Sequence, residues 1–469
     1  MSASKPPLLA NATADLASFA ASLEIGDIPS DVIAHLKLCI LDSVGVCLHG
    51  MTLPWTQMVK DMVLAEQAAG DAILVGTGAT SSPANAALVN GTAGHAFELD
   101  DIHKESIVHP GSLAVPVALA LLPLAQCANG EEFLTAIAAG YEVGTRVGNA
   151  ATQALLLDGF HPQGTSGVFV AAATAARMLR LDARATQHCL GIAGSQTSGL
   201  MAAQEGAMVK RLHCGRAAQS GVYAALLAQR GFTGIEDVLE ASYGGFLSTH
   251  SSAPAPHKLT SGLGHEWQIR HVGFKPYAAV TSIHTALDAL RQIMREQQLQ
   301  ANDLAAIDAS VSSATYVHCA WEYTAQGVTA AQMNLYFGLA LIALDGNAFV
   351  QQYRQERLRD PRILDLISRT TAHIDAGIDA RGAAFRHAAR VRVRTHGGQH
   401  FEQQILHRRG SAEHALTQAE IITKFRDVVR DCISDEDASR IISAVDSLDS
   451  PGHLPMLEQC LAAPRSVPT

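Results

Sequence analysis

Between residue 10 and about residue 250, apolar side chains recur at three- and four-residue spacing in segment after segment, the mark of helices with one buried face. ADLASFAASL follows Thr13 as an N-cap, and DVIAHLKLCILDSVGVCLHG follows Pro29-Ser30. GEEFLTAIAAGYEVGTRVGNAA opens with two acids where the helix dipole favours them. Small residues repeat in AAGYEVG, GVFVAAATAARM and GRAAQSGVYAALLAQRG, so these helices lack bulky ridges and their backbones can approach closely. After about residue 265 the pattern changes. LAAIDASVSSATYVHC has strand-like β-branched spacing, and RVRVRTHGGQHFEQQIL alternates Val391 and Val393 with Arg390, Arg392 and Arg394 before a Gly397-Gly398 turn, which predicts a hairpin. Helical patterns interleave there, in SIHTALDALRQIMREQQL and AAQMNLYFGLALIAL, and return in TQAEIITKFRDVVRDCI and DASRIISAVDSL.

The expected fold is therefore mainly α: an all-helical domain from 1–265 with 410–469 packed back onto it, and a smaller α+β domain, 266–409, with an antiparallel sheet containing the hairpin. A chain of 469 residues exceeds the size at which one core stops growing, in keeping with two domains. The formal charge of -10, with acids outnumbering Lys plus Arg 44 to 34, argues against nucleic acid as a partner. The eight scattered cysteines include no Cys-x-x-Cys, and MSASKPPLLANATADLASFA lacks the features of a signal peptide, so a reducing cytoplasm is expected. The runs SLAVPVALALLPLA and LYFGLALIAL fall short of a bilayer crossing, so no membrane association is expected.

Against this apolar background, FELDDIHKESIVHPGS gathers Glu98, Asp100, Asp101, His103, Lys104, Glu105 and His109 in one short span. On a helical turn His95, Glu98 and Asp101 share a face, and Ser112 can cap the helix that follows the His109-Pro110-Gly111 break. Acids that cap helix ends and solvate a turn account for such a cluster equally simply. Asp100, Asp101 and Glu105 also fit the acid-rich Mg²⁺ motif of helical terpenoid synthases, but its second metal motif is absent; Asp101, His103 and His109 match no zinc spacing. A second cluster, GFHPQGTSG, runs His161-Pro162-Gln163 into a turn with Thr165 that opens a helix, so free backbone N–H groups and the positive dipole end are expected to point outward and suit carboxylate or phosphate, with ordinary Ser/Thr capping the alternative. Lys210 and His213 lie on one side of an Ala-rich helix, and Lys275 precedes Pro276 at the apparent domain junction, where active sites are common. Titratable groups inside segments with apolar flanks are where proton transfer is tuned.

HAFELDDIHKESIVHPGS, GFHPQGTSG, MVKRLHCGRAAQSG, FKPYAAVTSIHTALDAL and TKFR together, in this order, resemble the MmgE/PrpD family over about residues 10–460. That family contains 2-methylcitrate dehydratases, cis-aconitate decarboxylases and iminodisuccinate epimerases. The resemblance implies a homodimer without metal or organic cofactor, acting on a small polycarboxylic acid. Carried onto this chain it implies His109, His161, Lys210 and Lys275 as catalytic groups, and Glu98, Asp101, His103, Gln163, Thr165, His213 and Tyr336 as substrate-binding groups. Two departures bear on the reaction. The acid motif reads Glu98-Leu99-Asp100-Asp101-Ile102-His103 where many relatives have Asp-aromatic-Asp-Asp-Thr-His, and Val280 stands where decarboxylases of the family place a histidine five residues after the lysine. A family tyrosine aligns with Phe337 or Tyr336. The resemblance implies first a hydratase or dehydratase of a citrate-like acid, the widest activity in the family; the departures make epimerisation of an imino- or amino-dicarboxylate a close second, and Val280 counts against a decarboxylase. A non-catalytic anion-binding protein on the same fold would be expected to have lost the pocket lysines and histidines.

Overall fold

The computed structural model describes residues 10–125 and 129–464; Cys127 and the two ends of the chain lie outside the described residues. The described residues between 10 and 260 form a bundle of helices around helix Gly111–Leu121, every residue of which is buried. Helices Ser30–Gly50, Pro83–Gly94, Gly130–Ala151, Gly167–Met178 and Val209–Gln229 surround it. The small residues do what their spacing predicts. A methyl added to Gly144 would meet Val170 Cγ2 at 2.0 Å and Val170 N at 2.8 Å, so the Gly130–Ala151 and Gly167–Met178 backbones touch there. Gly91 and Gly215 bring helices Pro83–Gly94 and Val209–Gln229 equally close, a methyl on Gly91 lying 3.1 Å from Gly215 Cα.

Helix Ser30–Gly50, unlike the shorter apolar runs SLAVPVALALLPLA and LYFGLALIAL, is long and apolar enough to span a bilayer by length and composition. Two thirds of its most apolar window is buried in the fold, and it carries Asp42, whose carboxylate meets Lys424 Nζ at 2.6 Å, so it serves as a core helix. Lys424 belongs to helix Gln418–Val429, which lies along Ser30–Gly50 with Phe425 against Gly45. The tail thus packs back on the helical bundle.

The second region holds a four-stranded sheet in the order Thr370–Ile374, Leu304–Val311, Ala389–Thr395, His400–Ile405. The hairpin forms as its alternation predicts, with Val391 and Val393 buried and Arg392 and Arg394 exposed. The sheet is mixed, because Thr370–Ile374 joins Leu304–Val311 in parallel while the other pairs are antiparallel.

Several local expectations shift. The strand in LAAIDASVSSATYVHC stops at Val311, because the Ser312 side chain accepts from Thr315 N at 3.1 Å and starts helix Ser313–Cys319. The single helix expected in AAQMNLYFGLALIAL is two, Val328–Met333 and Leu335–Asp345, broken at Asn334, whose Oδ1 accepts from Phe337 N at 3.0 Å. Thr13 is not a cap. Helix Ala12–Ser22 begins before it, and its backbone N–H donates to Glu240 Oε1 at 3.1 Å. Ser112 is not a cap either; its hydroxyl donates back to His109 O at 3.0 Å.

Candidate active site

The acidic segment follows helix Pro83–Gly94 directly, but it is not a continuous helix. Phe97 and Glu98 adopt left-handed φ values of 61° and 52°, which cost L-residues energy and persist only where surroundings enforce them. Gln332 Nε2 donates to Phe97 O at 2.9 Å, and Arg211 Nη1 donates to His95 O at 3.2 Å, pinning both ends of the turn. The distortion matters because it aims Glu98 at helix Val209–Gln229 and lets Asp100 swing back to His95. Next, Ile102–His103 pairs antiparallel with Val272–Gly273, and this short ribbon delivers Lys275, two residues further on, to the acids.

Glu98 sits at the centre of three cations. Its Oε1 accepts from Lys210 Nζ and, at 2.7 Å, from Arg211 Nη1; its Oε2 accepts from Lys275 Nζ at 3.2 Å. All four side chains are buried. Burial alone would raise the Glu98 carboxyl pKa, but Lys210, Lys275 and Arg211 outweigh it and hold the group well below the usual carboxylate range. For Lys210 the balance is opposite. Burial lowers its pKa to about 8, with one carboxylate resisting and the like charges of Arg211 and Lys275 assisting. Three cations on one carboxylate leave each ammonium short of countercharge.

Beside this cluster lies a set of imidazoles. His95 Nδ1 is 2.7 Å and His109 Nδ1 3.3 Å from the same oxygen, Asp100 Oδ2, while Lys275 Nζ lies 3.7 Å from Asp100 Oδ1. Asp100 is fully buried; burial pushes its carboxyl up, and His109 and His95 draw it well below the ordinary range. His95 is held neutral, its pKa lowered to about 4 chiefly by burial against the pull of Asp100. His95 thus presents Nδ1–H to the carboxylate, leaving its Nε2 as a lone-pair base, while His109 Nδ1 faces the same oxygen. Across from them, His161 Nδ1 and His213 Nδ1 are 2.9 Å apart. Burial, His95, Lys210 and His213 depress His161 far below the normal imidazole pKa, and burial with Lys210 depresses His213. A neutral pair joined through its Nδ1 atoms shares one proton, so His161 Nε2 is a base in one tautomer and an acid in the other. The His95 ring lies 5.0 Å from that of His109 and 5.8 Å from that of His161, centroid to centroid.

Of the residues expected from sequence, Glu98, His109, His161, Lys210, His213 and Lys275 converge here. Gln163 stands behind the site: its Nε2 donates to His109 O at 3.0 Å and Ser112 Oγ at 2.9 Å, and its Oε1 accepts from His109 N at 2.9 Å, so it fixes the His109 backbone. Thr165 is buried, its hydroxyl donating to His161 O at 3.0 Å. The expected anion-binding turn has its amides occupied, since Gly164 and Thr165 donate to His161 O and Gly167 to Pro162 O. Asp101, not Asp100, faces away: it accepts from Tyr141 OH at 2.6 Å and Gly111 N at 3.0 Å. Its pKa is pushed up to about 8 by burial, which outweighs these bonds. His103 turns to Ser106 Oγ at 2.9 Å. The Tyr336 hydroxyl donates to Ala320 O at 3.3 Å, and Phe337 is core, between the rings of Tyr323 and Tyr353.

Sequence reading missed Asp100 as the orienting acid, His95 as its second imidazole and Arg211 as the third cation. Asp100 and His95 were visible at five-residue spacing, which no regular helix pairs; only the left-handed turn brings them together. Tyr353 was also missed. It is buried within electrostatic reach of Glu98, which with burial raises its phenol pKa, and its hydroxyl has no hydrogen-bond partner among the described residues.

His95, Asp100 and His109 also offer three buried donor atoms within 4.8 Å of one another. Ligands about 2.0–2.2 Å from a tetrahedral metal sit ~3.3 Å apart, so the 2.7 Å between His95 and Asp100 is the spacing of a shared proton. The Lys275 ammonium beside Asp100 already supplies the countercharge a cation would bring.

The arrangement can bind carboxylates on ammonium groups and move protons at carbon in a water-poor setting. Comparison with known proteins agrees with that chemistry. The model of the MmgE/PrpD N-terminal domain matches residues 14–258, and that of the MmgE/PrpD C-terminal domain matches residues 277–450. The chain is 31% identical over 461 residues to the cis-aconitate decarboxylase-like protein oryM of Aspergillus oryzae, covering 94% of this chain and 95% of that protein. It is 28% identical to a cis-aconitate decarboxylase of Aspergillus terreus, over 97% of each, and 27% identical to the human cis-aconitate decarboxylase, over 77% of this chain and 76% of that one. With both domain models matched in order along most of its length, this chain is an enzyme of the MmgE/PrpD family.

Proposed function

We propose that this enzyme is a cofactor-independent lyase that acts on a small unsaturated or hydroxylated polycarboxylic acid through a carbanion beside a carboxylate. The observation that carries the reading is the buried Glu98–Lys210–Arg211–Lys275 cluster set against four imidazoles. Lys210 and Lys275 exchange part of their contact with Glu98 for substrate carboxylates and absorb the charge that develops as the C–C or C–H bond breaks. His109, oriented by Asp100, and His161, set by its partner His213, handle the proton at carbon. Decarboxylation of a cis-aconitate-like acid is the leading reaction, because the Aspergillus terreus relative, similar over nearly the full chain, is a cis-aconitate decarboxylase. In it, loss of CO₂ leaves the electron pair on carbon, and His161, in the tautomer that carries the proton on Nε2, returns a proton there while the His213 partner, replenished from solvent, restores the shared Nδ1 proton. Dehydration of a citrate-like acid is the second reading, favoured by Val280 at the position where family decarboxylases have a histidine. Epimerisation of a dicarboxylate ranks third. The reading includes a homodimer, which sedimentation velocity tests.

Proton NMR in D₂O with cis-aconitate, citrate, 2-methylcitrate and an amino-dicarboxylate separates these. A product short of one carboxyl with deuterium in its place means decarboxylase; loss of water means dehydratase; deuterium without a new compound means epimerase. No change in any of them sinks the proposal. His161→Ala should lower turnover by about 10²- to 10⁴-fold with an unchanged unfolding midpoint, and activity within twofold of wild type removes His161 from the proton-transfer role.

A further inference from the structure

The cations described above are concentrated at one end of the cleft, all three on Glu98. A polycarboxylate that docks one or two of its groups on Lys210 and Lys275 has a further carboxylate to place, and the second region meets the cluster beside Lys210. Met333 Sδ, from that region, lies 3.5 Å from Lys210 Nζ, and His318 stands close enough for both Lys210 and Glu98 to act on it electrostatically. His318 was no part of the sequence-based site. It occupies the last turn of helix Ser313–Cys319, which also buries Thr315 and Cys319.

Its hydrogen bonds define its state. Nε2 is 2.6 Å from Gln204 Oε1, an oxygen that only accepts, so Nε2 carries the proton. Nδ1 is 3.4 Å from Ser282 Oγ, whose hydroxyl can donate to it. The ring is thus neutral, consistent with a pKa lowered to about 4 by burial and then by Lys210, against the opposing effect of Glu98. Gln204 comes from the other region, on the 3-10 turn Met201–Glu205, and is itself half buried. That turn continues the segment that seals His161 and His213: Gly199 O accepts from His161 N at 3.0 Å, and a methyl on Gly199 would lie 3.3 Å from both imidazole side chains. The His318–Gln204 bond therefore bridges the two walls beside the proposed proton-transfer pair.

We propose that His318 is a specificity-determining substrate contact, donating Nε2–H to a substrate carboxylate that Lys210 and Lys275 do not hold. This rests on the lyase reading above. The exchange is chemically even: one oxygen acceptor, Gln204 Oε1, is replaced by another, so no buried donor is orphaned, and the freed Gln204 amide turns to water or adds its own N–H to the same carboxylate. A neutral donor suits this position, because it recognises a third carboxylate without adding a fourth charge to the cations already crowded on Glu98.

The test compares wild type, His318→Ala and His318→Asn, the last of which keeps a side-chain N–H. The readouts are kcat and KM for cis-aconitate or whichever tricarboxylate the NMR panel identifies, and the inhibition constant of maleate, which lacks the third carboxylate. The expected result for His318→Ala is a KM raised by about tenfold or more, the loss of one charge-assisted hydrogen bond, with kcat and the maleate constant little changed, and substantial recovery of KM in His318→Asn. Equal losses for the tricarboxylate and maleate, a loss confined to kcat, or no change at all would overturn it. If His318→Ala does not fold, as judged by its thermal melt, His318→Leu against His318→Asn makes the same comparison. A wild-type enzyme that neither converts nor binds any polycarboxylate refutes the underlying reading; one that converts tricarboxylates while the variants match it refutes only the role of His318.

Discussion

Glu98 concentrates the tension in this molecule. Its backbone is left-handed, its carboxylate is buried, and three cations depend on it. Removing one partner of a buried charge cluster costs more than the cluster contributes, because the remaining charges lose their compensation. Glu98→Gln should therefore destabilise the fold by about 3–5 kcal/mol, read from the urea midpoint, and a loss under 1 kcal/mol would mean that water reaches the cations freely. At the same scale, Lys210 gives a signature in pH. Its pKa of about 8 belongs to the free enzyme, and the charged form is the one that binds carboxylate. Since kcat/KM reports free-enzyme ionisations, it should fall about tenfold per pH unit above pH 8. A flat profile from pH 7.5 to 9.5 would show that Glu98 holds the Lys210 proton more firmly than stated.

At the scale of elements, close helix packing places the site. The Gly130–Ala151 and Gly167–Met178 helices touch through Gly140 and Gly144, and the loop before the second helix carries His161. Gly144→Ala forces a methyl into Val170, with backbone as well as side chain in the way. Overpacking of this kind costs about 1–3 kcal/mol, and chemical denaturation of the variant should show it. The ribbon between Ile102–His103 and Val272–Gly273 has a different role: two residue pairs contribute little stability, yet they set the register that brings Lys275 to Glu98 and Asp100.

At the scale of the whole molecule, buried acids link stability to pH. Asp101 has an unfolded value near 3.8 and a folded value of about 8, so between these limits the native protein holds a proton that the unfolded chain has released. Stability must then fall as pH rises through that window, at up to about 1.4 kcal/mol per unit. Asp101→Asn, which imitates the protonated carboxyl, should flatten the slope between pH 5.5 and 7.5; an unaltered slope would assign it to other groups. Asp42, on the neighbouring core helix, is likewise raised by burial, though Lys424 opposes it.

What the sequence determined by itself was whatever depends on residues near one another along the chain. Helical periodicity and small-residue stripes gave the bundle, and the Val391–Arg394 alternation with Gly397-Gly398 gave the hairpin, because burial of one face and turn chemistry are local rules. Ordered motifs also pointed to Glu98, His109, His161, Lys210, His213 and Lys275, which the fold gathers from four distant segments. What the tertiary structure alone decided was orientation. Asp101 and His103 carry the same chemistry as Asp100 and His95, yet they turn to Tyr141 and Ser106, because left-handed backbone at Phe97 and Glu98 reverses which side chains face the cleft. His318 and Tyr353 enter from segments with no motif of their own, since proximity across a cleft depends on how two packed bodies meet and leaves no spacing in the chain.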